Sequence, residues 1–186
     1  LGKSHLVREV DALGGIMAQA TDASGIQYRT LNTRKGFAVQ ALRVQCDRDK
    51  YKKAIQDILQ TTTIHIEEDE VIDLVVEKNK ATGVILKHSK TLTSKKIILT
   101  TGTFLNGVMY TGEENSQGGR VGDKSAIPLS KRLYKLKLPM GRLKTGTPAR
   151  IKLSSIDLGV MEEQPGETPT PHMSLLQPPL KQLPQI

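Results

Sequence analysis

Apolar residues at helical spacing open the chain. Leu6, Val10, Leu13 and Met17 recur every three to four positions, and Gly14-Gly15 interrupts them, so residues 6–20 are predicted to be helix with a break at the glycine pair. The next stretch, GIQYRTLNTRKG from Gly25 to Gly36, alternates weakly and reads as a short strand and a turn. From Val44 to Gln60, Tyr51, Ile55, Ile58 and Leu59 form one apolar stripe with charges on the other side, which predicts an amphipathic helix. Its acidic Asp47 and Asp49 come first and its lysines later, the order a helix dipole favours.

The period then changes to two. TIHI (63–66), VIDLVVEK (71–78), ATGVILKH (81–88), KTLTS (90–94) and KKIILTTG (95–102) are short, rich in Val, Ile and Thr, and separated by turn residues. They predict a strand, a small β-meander within about 63–95, and a return strand. Ile97 to Thr100 shows no alternation, as expected of a strand buried on both faces of a parallel sheet. That run stops at Thr101-Gly102. Ligands of open α/β sheets sit beyond the carboxyl ends of the strands, and a glycine there lets the backbone approach a nucleotide closely. A glycine after a strand is also an ordinary turn.

Beyond Asn106-Gly107 the chain enters a glycine-rich loop, NSQGGRVGDKSAIPLSKRL (115–133), leading into a helix that starts near Pro128. Exposed N–H groups at such a junction can hold an anion. The loop is not a Walker A motif, because Asp123 stands between Gly122 and Lys124. MGRLKTGTPARIK (140–152) then places Arg142, Lys144 and Arg150 around a Thr-Gly-Thr-Pro turn. From Met161 onward six of the nine prolines fall within 26 residues without periodicity, and the segment reads as a linker or as sequence that has lost its fold.

Composition narrows the picture. A chain of 186 residues suits one domain, or one domain and part of another. It begins Leu1-Gly2-Lys3, which reads like the interior of a longer polypeptide. The lack of a long apolar run and of a signal-peptide pattern leads to the expectation of a soluble, non-secreted protein. One cysteine, Cys46, excludes an internal disulfide and a CxxC metal site, and His172 has no partner at ligand spacing. The net charge of +8 is concentrated: ten Lys or Arg against one Asp lie between Arg120 and Lys152, and the rest is near neutrality. Such a block suits phosphates or nucleic acid, although a solvated helix face with charged turns would look the same. Only Tyr134 lies inside the block to supply base stacking.

Taken together, LGKSHLVREVDALGG, SGIQYRTLN, RKGFAVQALRVQCDRDKY, IILTTGTFLNG, GGRVGDKSAIPLS and GRLKTGTPARI closely resemble the MnmG family, also called GidA, of tRNA-modifying flavoproteins. The resemblance runs in order from about Leu1 to Val160. It implies an α/β fold: a partial glutathione-reductase-like, Rossmann-type FAD-binding domain over 1–152 with a β-meander excursion. Residues 153–186 would then begin an inserted domain or form a disordered proline-rich tail. The implied activity is FAD-dependent modification of the tRNA wobble uridine, adding a carboxymethylaminomethyl group at carbon 5 together with the GTPase MnmE. NADH would serve as reductant and methylenetetrahydrofolate as carbon donor, in a homodimer with no membrane association. The implied compartment is the cytoplasm, or the mitochondrion in eukaryotic relatives.

By that resemblance Val71 contacts FAD through its backbone, Thr101 and Gly102 form the turn near the dinucleotide, and Ala126 stands where the family has a flavin-contacting serine. Ser125 beside it is the candidate substitute. Arg142, Lys144 and Arg150 are the candidates for anion or nucleic-acid contact. Ser4 and Phe37 replace a family glycine and proline. The family's GxGxxG loop and two catalytic cysteines have no counterpart in these residues, and Cys46 matches neither cysteine, so no catalytic residue is assigned and enzyme activity of the chain stays open. The alternatives are a non-catalytic fragment or remnant with at most basic nucleic-acid binding, and a different two-dinucleotide flavoprotein oxidoreductase.

Overall fold

The computed structural model describes residues 3–88, 90–146, 148–149 and 151–176. It divides into two units: Leu1–His65 with Arg150–Ile186, and Ile66–Ala149. The mixed α/β class expected from sequence is present, built on three small antiparallel sheets.

In the first unit, helix α1 (Ser4–Ala12) ends before the glycine pair and α2 (Met17–Ser24) follows it. The break is where sequence placed it, but the buried face is not the predicted one. Leu6, Val10, Leu13 and Met17 are all exposed, whereas Ser4, Val7 and Asp11 are buried. Strand β1 (Gly25–Leu31) pairs antiparallel with β2 (Ala41–Cys46), setting Tyr28 opposite Val44. The helix predicted from Val44 therefore starts later, as α3 (Arg48–Gln60). Cross-strand pairing holds residues 44–46 extended, and Asp47 caps α3 by accepting from the Lys50 N–H at 2.9 Å. Tyr51, Ile55, Ile58 and Leu59 form its half-buried stripe, as predicted. Val7, Ala18, Tyr28, Leu42 and Met173 make the unit's core, with Val44 packed against it.

Met173 comes from the proline-rich stretch that reads as a linker. Residues 164–175 are instead held by specific bonds. Gln27 Nε2 donates to the Gln164 carbonyl at 2.7 Å, and the Thr30 N–H donates to the Glu167 carboxylate. Deeper in, buried Asp22 accepts from the Met173 and Ser174 N–H groups at 2.9 and 2.8 Å. Buried Asp11 accepts from the Ser174 hydroxyl at 2.9 Å and the Leu175 N–H at 3.0 Å. Each bond joins residues more than 130 positions apart, beyond the reach of any local pattern.

In the second unit, β3 (Val71–Glu77), β4 (Lys80–Leu86) and β5 (Thr91–Thr93) form the predicted meander in the order β3-β4-β5. Lys78 and Asn79 at its first turn both have positive φ, 46° and 61°, the left-handed pair a tight two-residue hairpin needs. Two further strands were not legible: β6 (Val108–Thr111) and β7 (Glu114–Gln117) form a hairpin. Helix α4 (Ile127–Lys135) begins as expected, with proline in its first turn. Leu129 and Leu133 pack on Leu74 of β3, with Val71, Val76, Val84, Ile97, Leu105, Leu136 and Met140 around them. Arg132 Nε lies 2.8 Å from Asp73 and its guanidinium donates to the Leu74 carbonyl at 3.3 Å, so α4 is tied to β3 by charge as well as by apolar contact.

Two predicted strands are absent. Residues 63–66 are irregular, with Ile64 and Ile66 exposed. The parallel strand expected at Ile97–Thr100 pairs with nothing among the described residues, and Ile98 is 85% exposed. An apolar run without a neighbouring strand has no ladder for its backbone groups, so hydropathy alone does not make it a strand, even though Ile97 packs against the apolar cluster.

Replacing Asp22 by Ala leaves two buried N–H groups unpaired, and the chain is expected to lose about 2–4 kcal/mol of stability in urea unfolding. Leu133→Ala is expected to cost a similar ~2–4 kcal/mol by opening a cavity under α4.

Candidate functional site

The second unit brings most of the candidate residues to one place. Gly102 lies at φ +58°, in the left-handed region that favours glycine, and a Cβ there would meet no other atom. The residue is needed for the turn itself. The turn is closed by the Phe104 N–H donating to the Thr101 carbonyl at 3.3 Å. The chain then runs alongside residues 125–127. Leu105 and Ala126 form an isolated parallel bridge, with the Ala126 N–H donating to the Phe104 carbonyl at 2.8 Å and the Asn106 N–H to the Ala126 carbonyl at 3.2 Å. Gly107 is required by closeness, since a Cβ would collide with the Thr103 carbonyl and lie 2.8 Å from that of Gly118.

Ser125 is committed to this seam. Its hydroxyl donates toward the Phe104 and Gly107 carbonyls at 3.2 and 3.3 Å, which leaves its oxygen lone pairs as acceptors. Ala126 adds no polar group. Both line a cleft of about 400 Å³ whose other walls are Glu68, Asp69, Glu70 and Lys124. Val71 adjoins this cleft through Glu70, and its side chain packs into the apolar cluster beneath. Arg142 donates to the Asn106 carbonyl at 3.4 Å from two nitrogens and so braces the same loop. Lys144 is exposed. Arg150 lies outside the described residues.

Sequence reasoning missed the acidic wall. Glu70 pairs with Lys87 at 3.2 Å, Asp69 with His88 at 3.0 Å, and Glu67 with Lys90 at 2.7 Å. The readable signal was four consecutive acidic residues, Glu67 to Glu70, directly before the meander, with basic residues at its far turn. The hydrogen bond from His88 holds the Asp69 carboxyl below its usual range, with the Glu70 backbone N–H assisting. Carboxylates on one side and the Lys124 ammonium on the other make a cleft suited to a ligand that carries both hydroxyls and phosphates.

In the first unit, the Cys46 thiol donates to the Thr21 carbonyl at 3.8 Å, and burial pushes its pKa up. Burial also raises the Tyr28 hydroxyl well above its ordinary value, with Asp22 adding to the effect; that hydroxyl donates to the Asp22 carbonyl at 3.3 Å. Neither group is set up as a nucleophile at neutral pH. Among the described residues no helix is long and apolar enough to cross a membrane, and no His, Cys, Asp and Glu cluster is arranged to hold a metal ion.

Comparison with known proteins gives a consistent result. The sequence model of the family described as glucose inhibited division protein A matches residues 1–186. The structure is similar to GidA of Aquifex aeolicus in two crystal forms. For form I the TM-score is 0.82 at 41% identity, covering 92% of this chain and 29% of that one. For form II it is 0.81 at 41% identity, covering 92% and 28%. The chain thus spans less than a third of the length of the proteins it matches.

Two outcomes follow from the geometry. Cys46 is expected to react with iodoacetamide several-fold more slowly than free cysteine at mildly alkaline pH, because burial disfavours its thiolate. The depressed Asp69 pKa means that the stability this carboxylate contributes is complete above the unfolded carboxyl value, near pH 4, and is lost as pH falls through the lower folded value. In acid titrations followed by circular dichroism, Asp69→Asn is expected to remove that part of the pH dependence.

Proposed function

The chain belongs to the glucose inhibited division protein A family, and from that premise we propose that it is part of an FAD-dependent enzyme that modifies the wobble uridine of tRNA. Residues 1–152 are part of its FAD-binding domain. The modification is addition of a carboxymethylaminomethyl group at carbon 5, carried out with MnmE, with NADH as reductant and methylenetetrahydrofolate as carbon donor. The working form is a homodimer in the cytoplasm, or in the mitochondrion for a eukaryotic source.

The observation that carries the reading is the cleft where Ser125 and Ala126 meet an acidic wall beside the Thr101–Gly107 loop. Its donor set fits the adenosine end of FAD. Asp69 and Glu70 carry acceptors for ribose hydroxyls, Lys124 carries a counter-charge for the pyrophosphate, and Val71, which follows Glu70 at the start of β3, is assigned to backbone contact with the adenine. Both carboxylates are already partnered, Asp69 by exposed His88 and Glu70 by exposed Lys87, which keeps them oriented toward a ligand. FAD, when bound, supplies the electron transfer that no side chain can. The residues of this chain bind and orient; Arg142, by holding the Asn106 carbonyl, positions the loop, and Arg142, Lys144 and Arg150 are assigned to anion contact.

Ala126 contributes no hydroxyl, and the Ser125 hydroxyl is spent on backbone carbonyls. FAD is therefore expected to bind these residues weakly and to be lost on dialysis. Flavin-fluorescence titration is expected to show binding of FAD but not of FMN, which lacks the adenosine, and Ala126→Ser is expected to tighten it. A chain that stays yellow after dialysis would overturn the expectation of weak binding, and one that binds FMN as well as FAD would overturn the assignment of the cleft to the adenosine end.

A further inference from the structure

The two walls of the cleft are the leading ends of two elements. Glu68, Asp69 and Glu70 run directly into β3 at Val71, and Lys124, Ser125 and Ala126 run directly into α4 at Ile127. Whatever holds α4 on β3 therefore sets how the walls face each other. Leu129 and Leu133 keep the helix against Leu74 of the strand, but apolar contact is non-directional and leaves slide and rotation unspecified.

Arg132 supplies the direction. Lys131 and Lys135 on the same helix are exposed, whereas Arg132 is half-buried against β3. Its Nε lies 2.8 Å from Asp73 Oδ1, and Nη2 donates to the Leu74 carbonyl at 3.3 Å, so one guanidinium engages two successive residues of the strand. Asp73 is itself fixed, because the same Oδ1 accepts from the Leu74 N–H at 2.6 Å. Arg132 Nε is shut off from solvent and has no aligned hydrogen bond, which leaves the Asp73 charge as its compensation.

This contact lies close to both walls. Arg132 is five residues along α4 from Ile127, about 8 Å of helix, and Asp73 is three residues from Glu70, about 10 Å of strand. Between Asp73 and the wall, β3 carries a bulge: Val71 and Asp73 pair with the consecutive residues Leu86 and Ile85, so Ile72 is extra and the strand bends there. Arms this short carry a displacement at Arg132 into the cleft. About an ångström is enough to take convergent polar groups off a ligand.

We propose that Arg132 is a positioning residue for the cleft: through Asp73 and the Leu74 carbonyl it holds the Ser125–Ala126 wall in register with the Asp69–Glu70 wall, without itself touching the ligand. The inference rests on the assignment of the cleft to the adenosine end of FAD. An ion pair partly open to solvent contributes little to stability, so its effect falls on affinity more than on folding.

The test is flavin-fluorescence titration of the 186-residue chain with FAD, at a temperature where circular dichroism shows every variant folded. Arg132→Met is expected to weaken binding about three- to tenfold. Arg132→Lys is expected to recover part of the loss, since an ammonium can pair with Asp73 but lacks the fork that also reaches the Leu74 carbonyl. Asp73→Asn separates positioning from simple attraction of an anionic ligand: removing an acid tightens binding if charge alone matters, and is expected to weaken it here. Arg132→Met and Asp73→Asn combined are expected to weaken it no more than either alone. Lys135→Gln, which removes an exposed cation from the same helix, is expected to leave it unchanged. A second readout needs no ligand. With nitroxide labels at Glu68→Cys and Lys124→Cys in a Cys46→Ser chain, the spread of label-to-label distances is expected to widen in Arg132→Met and to narrow again in Arg132→Lys. If the wild-type chain binds FAD and Arg132→Met keeps its affinity, or Asp73→Asn tightens it, the positioning role is overturned while the cleft assignment stands. If the wild-type chain binds no FAD, the adenosine assignment fails and the labels decide the rest: an unchanged spread in Arg132→Met overturns the positioning role as well, and a wider one upholds it.

Discussion

Asp22 accepts the N–H groups of Met173 and Ser174, Asp11 accepts the Ser174 hydroxyl and the Leu175 N–H, and all of this is buried. A buried carboxylate without such partners would cost several kcal/mol, so its donors decide what can pack around it. In the first unit they decide which side of α1 turns inward. The Val7–Asp11 face goes to the core and the more apolar Leu6–Val10–Leu13 face goes outward. They also bring Met173 into contact with Val7, Ala18, Tyr28 and Leu42, so a segment from the far end of the chain completes the core of its beginning.

The second unit is organised by a different rule. The turn from Thr101 to Gly107 has few side chains to hold it, and its shape comes from backbone bonds to residues 118 and 126, the Ser125 hydroxyl and the Arg142 guanidinium. Gly102 supplies the left-handed turn and Gly107 the close approach. A loop built on backbone contacts leaves its neighbouring carboxylates and lysine free to define the cleft. Ser125 illustrates the exchange: the hydroxyl that sequence offered as a ligand group serves as a brace.

Charge in the second unit is paired only in part. Four basic residues of the second unit are neutralised by nearby acids and stabilise the meander, the α4–β3 contact and the glycine-rich loop. Among the described residues no ion pair holds Lys78, Lys80, Lys95, Lys96, Lys124 or Lys144, nor the lysines along the outer face of α4. A single net charge for the block conceals this division, because pairing depends on which acids arrive from other strands.

Elements whose information is local were legible in the sequence. The glycine break between α1 and α2, the apolar stripe of α3, the β3-β4-β5 meander, and the proline start of α4 each rest on neighbours a few residues apart. So was the likeness to the GidA family, which lies in the order of whole segments. What required the tertiary structure was every feature set by distant partners: residues 44–46 becoming strand because β1 lies beside them, Ile97–Thr100 left unpaired although its hydropathy is that of a strand, the inward face of α1, and the anchoring of residues 164–175. Hydrophobic periodicity records what a segment can bury. Only the folded chain supplies the hydrogen-bond partners and the opposing surface that decide whether, and on which side, it does so.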